Sequence, residues 1–239
     1  MSVELDGTRV FTTMRTPGND FELAVGFCLT EGLLAGAPAN GVRYCARGSA
    51  LESEFNVVTV ETGGAAPEPS PRLGMVSSSC GWCGSDHVDD LCAHLTPLPE
   101  VGLPDLGVLT RVPDTVRTTQ DLFERTGAVH AAAAFDTAGH VLVSREDVGR
   151  HNAVDKVVGS MVLAGSAPVP ATGLGLFVSG RASIEMVQKA WAAGFTTLLA
   201  VSAPTSLAVE AARRSGMVLA GFVRDDELNL YAPDRLTAP

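Results

Sequence analysis

The chain has 239 residues, 46% of them hydrophobic, enough to bury a substantial core and too many for a disordered chain. Its formal net charge of −10 argues against wrapping a nucleic-acid backbone, but not against one anionic small molecule held by local arginines. No apolar run reaches the ~18 residues of a membrane span, the opening MSVELDGTRVFTT lacks a secretory pattern, and the five cysteines (28, 45, 80, 83 and 92) are too sparse for a disulfide scaffold, so no membrane or nucleic-acid partner and a reducing cytoplasmic setting are expected.

Residues 1 to 14 read as two strands around an Asp6-Gly7 turn. TPGND then breaks the chain and offers Asn19 or Asp20 as a helix cap. From Phe21 to Leu34 apolar residues fall on all sides, which predicts a helix buried on most faces. FNVVTV (55 to 60) is a strand, TGGAAPEPSP a loop, and DHVDDLCAHL (86 to 95) a short helix. Pro97, Pro99, Pro104 and Pro113 place a domain boundary near residues 100 to 114, dividing a smaller α+β domain (1–100) from a larger one (101–239).

The second half is more regular. TTQDLFERTG is a helix closed by Gly127, and VHAAAAFD and HVLVSRED form a hairpin around Ala138-Gly139. Then come helix HNAVDKVVGSMVLAG, strand GLGLFVSG, helix ASIEMVQKAWAAG, strand TTLLAVSAP, helix SLAVEAARRSG, strand MVLAGFV and a further strand in ELNLY. Apolar strands alternating with helices imply a sheet covered on both faces with parallel βαβ units. This order resembles the cytidine-deaminase-like fold, so the expected class is α/β, with a three-layer α/β/α C-terminal domain and a smaller α+β N-terminal domain. The deaminase zinc site needs H-x-E and P-C-x-x-C at two helix starts. Here those places hold His151-Asn152-Ala153 and Ser179-Gly180-Arg181-Ala182-Ser183, without the glutamate or the thiolates.

SSSCGWCGSD (77 to 86) sets Cys80 and Cys83 three apart between glycines. In such a pair one thiolate is stabilised by its neighbour and by nearby amides, which lowers its pKa below ~8.5 and makes a nucleophile. Three uses compete: a zinc site completed by His87 and Cys92, dithiol–disulfide redox, and sulfur relay as a persulfide. Cys28, Cys45 and Cys92 read as structural.

The strand ends carry the polar residues. SREDVGRHNAVDK (144 to 156) holds seven ionisable side chains where a strand passes into a helix. Arg150 and His151 there suit an anion at a helix N-terminus, and a salt-bridged junction is the other reading. VSGRAS places Ser179, Gly180 and Arg181 in the same kind of step, and SAPTS (202 to 206) repeats it with Thr205 or Ser206 as cap. GFVRDDELNLY offers Phe222 as a flat face for a base, Arg224 as a charge and Asp225 or Asp226 as acceptors, or else is a plain surface turn. His130 stands at a strand edge as a packed or a pocket-lining residue.

TPGNDFELAVGFCLTEGLL, SSSCGWCG, TGAVHAAAAFD, REDVGRHNAVDKVVG, VSGRAS and GFVRDDELNLY together resemble the FdhD family, the formate dehydrogenase accessory sulfurtransferases, from about residue 14 to 231. The resemblance implies a relay of sulfur from a cysteine desulfurase to the molybdenum or tungsten bis(molybdopterin guanine dinucleotide) cofactor of formate dehydrogenase. It implies Cys80 as persulfide carrier with Cys83 as loop partner. It also implies Phe222, Val223, Arg224, Asp225, Asp226 and Glu227 as the dinucleotide-binding stretch, and Ser179, Gly180, Arg181, Arg150 and His151 as pocket lining. The cofactor would be a bound substrate, with no permanent cofactor or metal, and the protein a cytoplasmic homodimer. The alternative is a cofactor-binding chaperone with a structural zinc at the CxxC loop.

Overall fold

The computed structural model describes residues 1–45, 48–68, 89, 93–101 and 105–232. Cys80, Cys83, His87 and Cys92, with most of the 86–95 helix expected from sequence, lie outside the described residues.

A four-stranded sheet is built from β1 (Ser2–Leu5), β2 (Thr8–Thr12), β3 (Gly41–Tyr44) and β4 (Val57–Glu61) in the order β2-β1-β4-β3. β1 and β2 are the expected hairpin, whereas β1 and β4 run parallel. β3 was not expected: GVRY is four residues long and follows a Gly/Pro/Asn loop, too short for its alternation to register. Helix α1 (Asp20–Thr30) covers this sheet, with Ala24, Val25, Phe27 and Cys28 packed on Val3, Leu5, Val58 and Val60. Asn19 takes the cap position in the left-handed region (φ 56°) without a side-chain cap bond. Asp20 is instead buried against Arg15 (2.9 Å) and the Tyr44 hydroxyl (3.1 Å).

The second sheet has six strands: β5 (His130–Phe135), β6 (Val141–Asp147), β7 (Gly175–Val178), β8 (Thr197–Ala200), β9 (Val218–Arg224) and β10 (Glu227–Ala232), ordered β10-β9-β8-β7-β5-β6. β7, β8 and β9 are parallel, and β5 is antiparallel to both β6 and β7. Alternation sorts the side chains between two faces. Ala132, Ala134, Leu176, Val178, Leu198 and Leu219 meet the residues of α4 (Arg150–Ala164), α5 (Ile184–Ala192) and α6 (Ser206–Ser215). Ala133, Phe135, Phe177, Leu199, Ala220 and Val223 meet α2 (Leu106–Arg117) on the opposite face. The short α3 (Asp121–Thr126) follows α2 and ends on Gly127 at φ 63°.

Within the 100 to 114 stretch where the prolines suggested a domain boundary, α2 forms, a helix that the sequence reading did not name. Asp105 caps it, accepting from Gly107 N (2.7 Å) and Val108 N (3.3 Å), and Leu109, Val112 and Val116 make a fully buried stripe despite Pro113 inside the helix.

α1 and α4 cross between the two sheets. A Cβ on Gly26 would strike the Asp155 carbonyl, and one on Gly159 the Glu22 carbonyl. The two glycines therefore set backbone against backbone in both directions, which joins the small sheet and its helix to the larger one.

Candidate functional site

The crossing is pinned by charge. Lys189 Nζ on α5 donates to Asp155 Oδ1 (2.9 Å) on α4 and to Thr30 Oγ1 (3.0 Å) and Glu31 Oε1 (2.8 Å) at the end of α1. Burial pushes the Asp155 carboxyl up to about 6, against the pull of Lys189 and Thr30. Burial works against the Lys189 cation, yet Asp155 and Glu31 hold its pKa above the ordinary lysine value.

The 144–156 segment divides between the two readings given to it. Arg145 binds Glu22 through Nε (2.6 Å) and Nη2 (2.7 Å). The Glu146 carboxylate accepts from Leu122 N and Phe123 N, each at 2.8 Å, at the start of α3. Asp147 pairs with Lys156 (2.8 Å), both essentially inaccessible, and also accepts from Thr16 N, Gly149 N and the Asn152 amide. Arg145, Glu146, Asp147, Asp155 and Lys156 thus build the junction that anchors the 13–20 loop and α1. Arg150 and His151 occupy the first turn of α4, directly after the β6 end.

At one edge of the sheet the ends of β6, β7 and β8 lie beside the start of β5. Ser179 extends the β5–β7 ladder: its N–H donates to Ala131 O (2.9 Å) and its hydroxyl accepts from Ala131 N (2.9 Å). Gly180 follows. A Cβ there would stand 3.6 Å from His130 Nδ1 and 3.7 Å from Arg150 Cδ, so the bare glycine faces both side chains. Gly180 O accepts from Ser202 N (3.4 Å), and Ser202 O accepts from Phe222 N (3.4 Å), which laces the loops after β7 and β8 to β9. Ala182 bridges to Pro204, and Thr205 caps α6 by accepting from Ala208 N (3.2 Å). α4 and α5 both begin at this edge, with extended Gly149 and Ser183 as N-caps. Arg181 is exposed.

Electrostatically the edge carries both signs: burial opposes the Glu185 charge in the first turn of α5, but hydrogen bonds and then the Arg150 charge hold its carboxyl below the ordinary range. Burial first, and then the Arg150 charge, pull the His130 imidazole below its ordinary pKa, with Asp147 opposing. Burial, Arg150 and Lys189 push His151 down to about 4, against Glu185 and Glu31. Both rings are therefore neutral at neutral pH, and Arg150 and Arg181 carry the positive charge.

The predicted residues separate by position. Ser179, Gly180 and Arg150 come together, and Phe222 is tied to them through Ser202. Phe222 sits in the left-handed region (φ 54°), uncommon for so bulky a residue, with 38% of its surface exposed. Val223 is fully buried in the α2-facing core and offers no surface to a ligand. Arg224, Asp225, Asp226 and Glu227 are exposed on the β9–β10 hairpin, whose turn residues Asp225 and Asp226 have φ of 52° and 59°. Sequence reasoning gave no role to Ser202, and Lys189 was invisible to it because its partners are 34 and 159 residues away.

Two cavities lie elsewhere: about 430 Å3 between Asp6, Asn40, Arg43 and Glu61, and about 340 Å3 between the 16–19 loop, Leu122, Ser144 and Lys156. Neither is lined by a predicted site residue. Among the described residues no cluster of three or more His, Cys, Asp or Glu is arranged to hold a metal, and no helix is long and apolar enough to cross a membrane.

The sequence profile of the FdhD/NarQ family matches residues 1–237. The chain is 44% identical to the sulfur carrier protein FdhD of Streptomyces avermitilis, over 100% of this chain and 86% of that one. It is 43% identical to the sulfur carrier protein FdhD of Mycolicibacterium paratuberculosis, over 97% and 87%. A crystal structure assigned as a formate dehydrogenase accessory protein from Desulfotalea psychrophila superposes with a TM-score of 0.71, covering 98% of this chain and 86% of that one at 23% identity, a likeness of fold.

Proposed function

The chain belongs to the FdhD/NarQ family, and from that premise we propose that it is a sulfur carrier serving a formate dehydrogenase. In this reading it is a sulfurtransferase. The Cys80 thiolate attacks the terminal sulfur of a cysteine desulfurase persulfide, the desulfurase thiolate leaves, and Cys80 holds the persulfide with Cys83 as its neighbour. The sulfur would then pass to a molybdenum or tungsten bis(molybdopterin guanine dinucleotide), a substrate bound at the sheet edge, with the Cys80 thiolate as leaving group and the reduced metal of that substrate supplying the two electrons that take the sulfane sulfur to sulfide.

The observation that carries the binding half is the lacing of Gly180, Ser202 and Phe222 across the strand ends, with Arg150 beside the bare glycine. Ligands of open α/β sheets collect at such carboxyl ends. Two helix N-termini and Arg150 suit phosphates. Phe222, held in a costly conformation with an exposed ring, suits stacking by a purine. Arg224, Asp225, Asp226 and Glu227 lie on the same hairpin and would contact the base edge, where guanine N–H donors match carboxylates. Arg181 and His151 flank the phosphate positions in this reading.

The strand order and the helices on both faces support a cytidine-deaminase-like architecture for residues 101–239, with residues 1–100 as the smaller unit. We place the protein in the cytoplasm as a homodimer.

Guanosine diphosphate is the test ligand for the site. Phe222→Ala should weaken its binding by about 1–3 kcal/mol, the worth of one base–aromatic stack, and Arg224→Ala should weaken it further. Both are read by titration calorimetry. Unchanged affinity in both variants removes the hairpin from the site.

A further inference from the structure

We propose that His130 takes up a proton from solvent when a diphosphate group enters the space beside Gly180, so that the groove gains positive charge only while it is occupied. The inference rests on the reading of the sheet edge as the phosphate-binding groove.

Geometry supplies the first argument. His130 opens β5 and is paired in register with Asp147 of β6. Its Nδ1 and the Arg150 Cδ lie 3.6 and 3.7 Å from where a Gly180 Cβ would stand. An imidazole, a guanidinium-bearing side chain and a bare backbone therefore stand within contact distance of one point, contributed by β5, α4 and the end of β7. A group placed at that point meets all three.

Charge supplies the second. Two ionised groups act on His130 directly, and the Glu185 carboxylate of α5 acts in turn on Arg150. Arg150, from α4, repels a proton, and Asp147, from β6, attracts one. Asp147 is weakened as an attractor because its carboxylate is already bound by Lys156 Nζ, Thr16 N, Gly149 N and Asn152 Nδ2. With burial added, the ring stays neutral in the free protein. A diphosphate reverses that balance: its charge cancels the Arg150 repulsion, and its oxygens accept from the protonated ring. The proton comes from the buffer and returns to it when the ligand leaves. By linkage, the groove must bind diphosphates more tightly as pH falls, by at most about tenfold per pH unit for one proton. Such a site holds its cargo firmly while filled and keeps a smaller charge while empty.

The test is titration calorimetry of guanosine diphosphate at neutral pH in two buffers of different ionisation enthalpy, on the wild type and on His130→Gln. The ligand's own titration is common to both proteins and cancels in the difference. The expected result is uptake approaching one proton more in the wild type than in His130→Gln, and a pH dependence of affinity that flattens in the variant. Equal proton uptake by two binding-competent proteins overturns the role of His130 and leaves the groove intact. No binding by the wild type removes the groove itself, and this inference with it. If His130→Gln fails to fold, ring NMR of the wild type decides: a His130 pKa unmoved by saturating guanosine diphosphate refutes the proposal.

Discussion

At the residue scale, the chemistry divides between charges that hold the molecule together and groups that stand where a ligand is proposed. Lys189 belongs to the first kind. Its ammonium donates to Asp155, Thr30 and Glu31 with only 4% of its side chain exposed. Removing it leaves a buried carboxylate without its cation, so Lys189→Ala should cost about 3–5 kcal/mol of stability in denaturant unfolding. A loss below about 1 kcal/mol would mean that water reaches Asp155 and replaces the lysine. Arg150 and the neutral ring of His130 stand instead beside the bare Gly180 at the sheet edge, where the proposed ligand would meet them. The sequence made Arg150 visible, because an arginine at a strand-to-helix step is a recognisable anion signal. It singled out Arg150 by its place at the helix start, but gave no sign that Arg145, five residues earlier, binds Glu22. That partner lies 123 residues away.

At the element scale, α1 and α4 decide how the two sheets meet. Their contact needs hydrogen at Gly26 and Gly159, because each faces a carbonyl of the other helix. Gly26→Ala or Gly159→Ala should therefore destabilise by about 1–3 kcal/mol or more, although alanine is the better helix former in isolation. Thermal melting of the two variants checks this, and an unchanged midpoint would mean that the helices separate freely. The same scale shows where periodicity succeeded and where it failed. The helices of the second half were legible because Ile184, Val187 and Trp191, for example, repeat on one stripe and are buried. α2 carries an equally clear stripe, but Pro113 was read with the neighbouring prolines as the mark of a domain boundary and the helix went unnamed. The Asp105 cap and the Leu109–Val112–Val116 spacing were the signals that outweigh one proline. β3 had no comparable signal, since four residues cannot establish a period.

At the scale of the whole molecule, a small sheet and a larger one are joined through a buried ion network, and the larger sheet presents one edge where several strands end. The βαβ order of the second half was legible from sequence because continuous apolar strands can only be covered on both faces. The edge was legible as a set of separate candidates, VSGRAS, SAPTS and GFVRDD; their joining through Gly180, Ser202 and Phe222 was not, because backbone hydrogen bonds between distant loops leave no mark on residue type. In the proposed function this edge receives what Cys80 carries. Intact-protein mass spectrometry after incubation with a cysteine desulfurase and L-cysteine tests the carrier directly. One added sulfur atom is expected on the wild type, removed by reductant and absent from Cys80→Ala. Unloaded wild type beside a demonstrably active desulfurase, or equal loading of Cys80→Ala, would contradict the proposed function.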